Sequence, residues 1–228
     1  IVGERYDSTN LLKLLSSDNN NNLFKNFSNE IEVKLKHLKT RSQVPLSNFN
    51  LIGFVKKGKF NKVSAKSNFS KDKYLDVSLK IDPNGKKILE VYSDLPQVLL
   101  VDYKFFEGLK NGKLLYRSIA DKKGSVSKLI IDDFKVVKVP VFAKLLTLAD
   151  LSGFADLLSG KGMSFDTLEI NMKDDLNITT IDEILALGPS VSLQMNGYID
   201  KKTKLVSLSG TLVPAKTLNK IVSKIPIV

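Results

Sequence analysis

Few side chains in this sequence could do chemistry, and His37 is the first to weigh. It is the single histidine, and there is no cysteine. A zinc site of His and Cys ligands cannot be built from that set, and cysteine nucleophiles and disulfides are excluded. A serine triad would need His37 as its base, yet no Gly-x-Ser-x-Gly elbow occurs. His37 lies in a strand-like run and fits a half-exposed strand position. Two carboxylate pairs, Asp132-Asp133 and Asp174-Asp175, could exchange protons or bind a cation. Adjacent strand residues point to opposite faces, however, so neither pair is expected to converge on a ligand. Asp174-Asp175 also stands where a turn is expected.

Two further segments imitate binding loops. Asp82-Pro83-Asn84-Gly85 begins like a calcium loop but lacks the following ligands and the distal Glu. Ser159-Gly160-Lys161-Gly162 resembles part of a phosphate loop but fails on spacing. Gly153 is too far upstream, Gly162 replaces the required hydroxyl residue, and a strand follows where a helix is needed. No dinucleotide fingerprint is present. The sequence therefore points away from an enzyme and implies no cofactor and no metal.

The elements that carry these residues are mostly strands. Hydrophobic residues make up 43% of the 228 and charged residues 26%, which is the composition of a folded chain. Its first residue is Ile1, and Ile225-Pro226-Ile227-Val228 has the character of a lead into another element, so a fragment of a longer chain is expected, with 1–228 forming one segment. No uncharged apolar run of about 18 residues is present. The nearest, 139–158, contains Lys144, Asp150 and Asp156.

The net charge of +11 raises nucleic acid or an anionic surface as a partner. Arg occurs only at Arg5, Arg41 and Arg117, Trp is absent, and the Lys is scattered along strands rich in Asn. Base readout and single-strand platforms favour Arg and aromatics, so nucleic acid is not the expected partner.

Period-two alternation dominates. Ile31, Val33 and Leu35 alternate with charges, as do Leu75, Val77, Leu79 and Ile81. The runs 191–196 and 206–212 repeat the scheme. Between Met163 and Met172 the phase shifts from Met163 and Phe165 to Leu168, Ile170 and Met172, which predicts a bulge near Asp166-Thr167. Asp82 to Gly85, Asp121 to Gly124 and Asp200 to Thr203 supply turns, so an antiparallel meander of about ten strands is expected. Helices are predicted over 94–106, 140–159 and 215–224, with a turn or two near 8–16. They cover only part of such a sheet. The remaining apolar face must close on itself as a sandwich or barrel, the commoner outcome, or stay open for a ligand.

From Val137 to Pro214 the chain resembles the C-terminal region of the AsmA-like superfamily, most closely the YhdP-like proteins. The resemblance rests on Val139-Pro-Val-Phe-Ala-Lys-Leu-Leu-Thr-Leu-Ala-Asp-Leu-Ser-Gly-Phe-Ala-Asp-Leu-Leu-Ser-Gly160 and Gly162-Met-Ser-Phe-Asp166. It continues through Leu187-Gly-Pro-Ser-Val-Ser-Leu-Gln-Met-Asn-Gly-Tyr-Ile-Asp200 and Leu208-Ser-Gly-Thr-Leu-Val-Pro214. Segments 94–112 and 126–136 follow the same order, and Gly3-Glu4-Arg5 with Leu11-Leu12 fits more loosely.

The resemblance implies a mainly β fold, a long curved antiparallel sheet forming an open apolar groove with a few short amphipathic helices, and so reverses the preference for a closed sandwich. It implies an inner-membrane anchor outside this segment, a periplasmic location in a Gram-negative bacterium, and movement of phospholipids between inner and outer membranes in support of outer-membrane integrity. Phospholipid acyl chains are the implied ligand, with periplasmic protein partners in a scaffold or assembly role as the alternative. The alternating positions that would line such a groove are Leu75, Val77, Leu79, Ile130, Phe165, Ile170, Met172, Val191, Leu193, Met195, Val206, Leu208 and Leu212. As individual residues they fit an ordinary core equally well.

Overall fold

A computed structural model describes residues 1–8, 26–40, 44–100, 108–137 and 162–214. These form one sheet of twelve strands lying in sequence order, from β1 (Val2–Asp7) to β12 (Val206–Pro214). Between them run β2 (Asn29–Lys39), β3 (Leu46–Lys56), β4 (Lys59–Asn68), β5 (Tyr74–Ile81), β6 (Lys87–Ser93), β7 (Leu109–Ala120), β8 (Ser125–Val136), β9 (Met163–Asp174), β10 (Ile178–Leu187) and β11 (Val191–Asp200). The sheet is open: β1 and β12 are its two edges and do not pair with each other. Every neighbouring pair is antiparallel except β1 with β2, which is parallel and departs from the expected pure meander. Helix α1 (Pro96–Leu100) starts two residues later than the helix expected over 94–106, of which 101–106 lie outside the described residues. The helices expected over 140–159 and 215–224, and the segment near 8–16 beyond Ser8, lie outside the described residues.

Turn chemistry sets one end of the sheet. The β5–β6, β7–β8, β9–β10 and β11–β12 hairpins all turn there, and each begins its turn with an aspartate. Asp82 Oδ1 accepts from Lys86 N at 2.8 Å, and Gly85 takes the left-handed φ of 79° that the turn demands. Asp121 Oδ1 accepts from Lys123 N at 2.7 Å, Asp175 Oδ1 from Asn177 N and Ile178 N at 2.7 Å each, and Asp200 Oδ1 from Lys202 N and Thr203 N at 2.8 Å each. The β3–β4 hairpin turns at the same end through Lys57 and Gly58, both at positive φ. The longer connections, 94–108 and 137–162, leave from the opposite end.

The parity change in β9 has a different origin from the one expected. A bulge confined to Asp166-Thr167 would shift β9 against β8, but Asp132↔Thr167 and Phe134↔Phe165 keep one register. Instead the ladder skips a row, Gly112–Asp133–Asp166, across three strands. Asn111, Gly112 and Asp133 have φ of 60°, 93° and 53°. The pleat inverts on all three strands at once, so Leu114, Ile131 and Leu168 on one side of this crease and Phe134 and Phe165 on the other join one buried cluster. Phe134 and Phe165 stack there with ring centroids 5.2 Å apart. Bulge-type register shifts lie elsewhere: β10 shifts against β9 between Ile181 and Glu183, and β3 against β4 between Ser47 and Asn50 and between Phe54 and Val55.

Gly112 is the residue that permits the crease. A Cβ there would sit 2.9 Å from both Asp132 O and Phe134 Cβ, on top of the left-handed φ. Gly112→Ala should lower unfolding stability by about 1–3 kcal/mol. Gly85→Ala, at φ 79° with no atom within 4 Å of the added methyl, supplies the control for φ alone. Urea denaturation of the two variants checks this: the Gly112 loss should exceed the Gly85 loss.

Candidate functional site

Cross-strand partners share a face, so the register reads out what each face carries. The middle row of the buried face passes from Val33 through Leu51, Ala65, Val77, Val91, Tyr116, Leu129, Ile170, Ile184 and Met195 to Gly210. On the side of the long connections runs a second row that includes Leu75, Ser93, Leu114, Ile131, Leu168, Ala186, Leu193 and Leu212. On the Asp-turn side a third row includes Leu79, Leu89, Ser118, Ser127, Met172, Ile181, Gly197 and Leu208. No charged residue occurs in these rows. They cross ten interstrand spacings of about 4.8 Å, so the apolar path measures roughly 48 Å along the sheet from β2 to β12.

Beyond the third row the chemistry changes. The next row towards the Asp turns runs Ile81, Lys87, Ala120, Ser125, Asp174, Thr179, Ile199, Val206. It holds the first charges on this face and forms a polar rim. Lys201 Nζ bonds Asp174 Oδ2 at 2.7 Å and also reaches Asp175 O, tying the β9–β10 turn to the β11–β12 turn. Burial pushes the Asp174 carboxyl up, but the Lys201 and Thr179 hydrogen bonds outweigh it and hold the group below the ordinary carboxylate range.

The opposite face is charged and wet. Cross-strand ion pairs span it: Lys66–Asp76 at 3.0 Å, Arg117–Glu90 at 3.3 Å, Lys128–Glu169 at 2.6 Å and Lys173–Asp182 at 3.0 Å. Such exposed pairs contribute little each, and their role here is to keep one face out of the core. Tyr92 Oη donates to Asp94 Oδ1 at 2.6 Å, which raises the Tyr92 phenol well above its usual range.

Burial on the apolar face is uneven. Leu129, Ile170 and Ile184 in the middle row are buried, and Leu99 and Leu100 of α1 pack against their cluster. Towards β2–β5 the same row is half-buried at Val33, Leu51 and Val77, and at the other end so is Met195. Among the described residues no cluster of His, Cys, Asp or Glu could hold a metal ion, and no helix is long and apolar enough to cross a membrane. A hollow of about 510 Å³ at the β1–β3 corner is lined by Leu35 and Phe49 together with Lys34 and Lys36. It mixes residues of both faces, as a notch at a sheet edge does.

Of the candidate lining residues, Leu75, Val77, Leu79, Ile170, Met172, Val191, Leu193, Met195, Leu208 and Leu212 share the apolar face. Phe165 joins it from beyond the crease, and Val206 stands on the polar rim, 54% exposed. Ile130 is a correction. It pairs with Leu115 and Glu169 and faces the charged side, while its neighbours Leu129 and Ile131 are buried. Three consecutive apolar residues leave the phase ambiguous, and only the pairing resolves it. His37 is exposed opposite Ser47 and Arg5. Asp132 and Asp133 are exposed at the crease. Of the Ser159 to Gly162 segment only Gly162 lies within the described residues. The inward positions of β3, β4 and β6 to β8 do not stand out as alternation in the sequence. Ser67, Ser93, Ser118 and Ser127 occupy inward positions there and blur the pattern.

The aspartate turns give the sheet a pH dependence. Backbone N–H donors hold three carboxyls below the ordinary carboxylate range: Lys123 N for Asp121, Ile178 N for Asp175 and Thr203 N for Asp200. A carboxyl whose folded pKa is depressed contributes stability above its unfolded value, about 3.9 for Asp, and loses it as pH falls through the folded value. The thermal midpoint should therefore hold between about pH 5 and 7 and fall below about pH 4. Replacing Asp121, Asp175 and Asp200 together by Ala should flatten that acid limb, which a melting series across pH would record.

The fold and the face define a class: an open, mainly antiparallel sheet of twelve strands with one apolar face and one charged face. No family model, curated protein or solved structure matches the chain. The AsmA-like resemblance rests on the sequence segments alone.

Proposed function

We propose that this chain holds phospholipid acyl chains on its apolar face and lets them pass along it, as part of an inner-membrane-anchored periplasmic protein that moves phospholipid between the two membranes. The observation that carries the reading is the path of apolar rows running across the strands from β2 to β12 with no charge in it. A globular core needs no such directional continuity. Each methylene laid on it is worth about 0.8 kcal/mol, so a chain is held without directional contacts and can slide at little net cost. Head groups would remain at the polar rim. Catalysis has no place in this reading.

Mass spectrometry of the purified chain for co-purifying phospholipid tests it. The expected result is bound diacyl lipid, crosslinked from photoreactive residues placed at Leu193 and Leu208. Lipid-free protein with no crosslink would overturn the reading. A second reading, a scaffold that binds proteins by strand addition, is favoured by β12: its residues 206–214 carry no charge, and it pairs within the described sheet only with β11. Peptide capture at β12 without lipid would support it instead.

A further inference from the structure

The third apolar row is interrupted by hydroxyls. Ser118 and Ser127 face each other across β7 and β8 and are only 8% and 7% exposed. Tyr116 Oη donates to Ser127 Oγ at 3.1 Å, and Ser127 Oγ donates to Ser118 Oγ at 2.9 Å. Three hydroxyls carry three hydrogens, and the two bonds among them use two, whichever way they run. One O–H is left over in a buried place, with no acceptor among the described residues. An unmet buried donor is unfavourable, so the site favours an oxygen brought by something else.

Its position says which oxygen. On the rim side, about 7 Å away along the strands, the neighbouring row carries Lys87 and Asp174. On the other side the middle and second rows hold Leu129, Ile170, Ile131 and Leu168. The hydroxyls thus stand at a junction between charged and apolar chemistry. A diacyl lipid has the same order: charged head group, ester carbonyls, hydrocarbon. Resting on the acyl-chain reading above, we propose that the Tyr116–Ser127–Ser118 hydroxyl set is an ester-recognition site that donates its spare hydrogen to an acyl-ester carbonyl of the lipid. It would fix the depth at which a lipid sits and select ester-linked over ether-linked chains.

Competition between two probes tests this. The delipidated chain is given vesicles of equal parts dioleoyl phosphatidylcholine and its diether counterpart, which shares the head group and chain length but lacks the carbonyls. Lipid retained on the protein is measured by mass spectrometry. Wild type should retain the ester form over the ether form by about fivefold, the worth of one ordinary hydrogen bond. Tyr116→Phe should keep the preference, because the two serines still leave one hydrogen over. The triple variant Tyr116→Phe, Ser118→Ala, Ser127→Ala should retain both lipids equally. A second readout needs no variant: the infrared carbonyl band of a carbonyl-labelled ester lipid should move to lower frequency on binding to wild type than in a dry apolar solvent. Retention of neither lipid overturns the acyl-chain reading itself. Equal retention by wild type, a preference that survives in the triple variant, or an unmoved carbonyl band overturns the ester site alone.

Discussion

Met195→Asp is expected to cut the phospholipid retained by the chain by about tenfold or more, while leaving the sheet folded. Met195 stands in the middle row of the apolar face, between Ile184 on β10 and Gly210 on β12, and is half-buried. Its partial exposure lets a carboxylate there keep water, so the fold tolerates it. An acyl chain laid across that point would have to strip the water away or lift from the wall. Losing contact with three methylenes alone costs about 2.4 kcal/mol, more than a factor of ten in binding. Asn196→Asp, one residue on and exposed on the opposite face, adds the same charge and should leave lipid retention unchanged. Far-ultraviolet circular dichroism confirms the fold, and quantitative lipid analysis reads the effect. Equal retention by the two variants would mean that this row does not carry the chains.

Ile131→Ala should be the most destabilising of the simple truncations. Ile131 is 0% exposed and lies between Leu114 and Leu168 in the row beside the crease. Its loss leaves a cavity among β7, β8 and β9, where the crease already fixes the backbone and resists collapse. The expected cost is about 2–5 kcal/mol, a fall in Tm of roughly 5–15 °C for a chain of this size. Ile130→Ala is the matched comparison, since Ile130 is half-buried on the charged face beside Leu115 and Glu169. It should cost under about 1 kcal/mol. A larger loss at Ile130 than at Ile131 would mean that β8 presents its other face to the core.

Much of this was legible from the residues. Strict alternation in 30–36, 74–81 and 191–196 placed Ile31, Val33, Leu75, Val77, Leu193 and Met195 correctly, because the strand period of two ties each side chain to a face without knowledge of partners. The aspartates at 82, 121 and 200 announced their turns because a carboxylate two to four residues upstream caps its own backbone. The hydroxyls in the third row were not legible. Ser118 and Ser127 look like solvent-facing residues until the pairing of β7 with β8 sets them opposite each other and indoors.

The strand character and the turn positions were therefore determined by the sequence itself, since each depends on residues within a few positions of one another. The phase of Leu129-Ile130-Ile131, the shared crease at Gly112, Asp133 and Asp166, and the joining of the rows into one path were decided only by the tertiary structure. So was the openness of the sheet, because it depends on whether β1 and β12, about two hundred residues apart, find each other. Local alternation fixes which side chains share a face. Register and closure are agreements between distant strands, and no window of the sequence contains both parties.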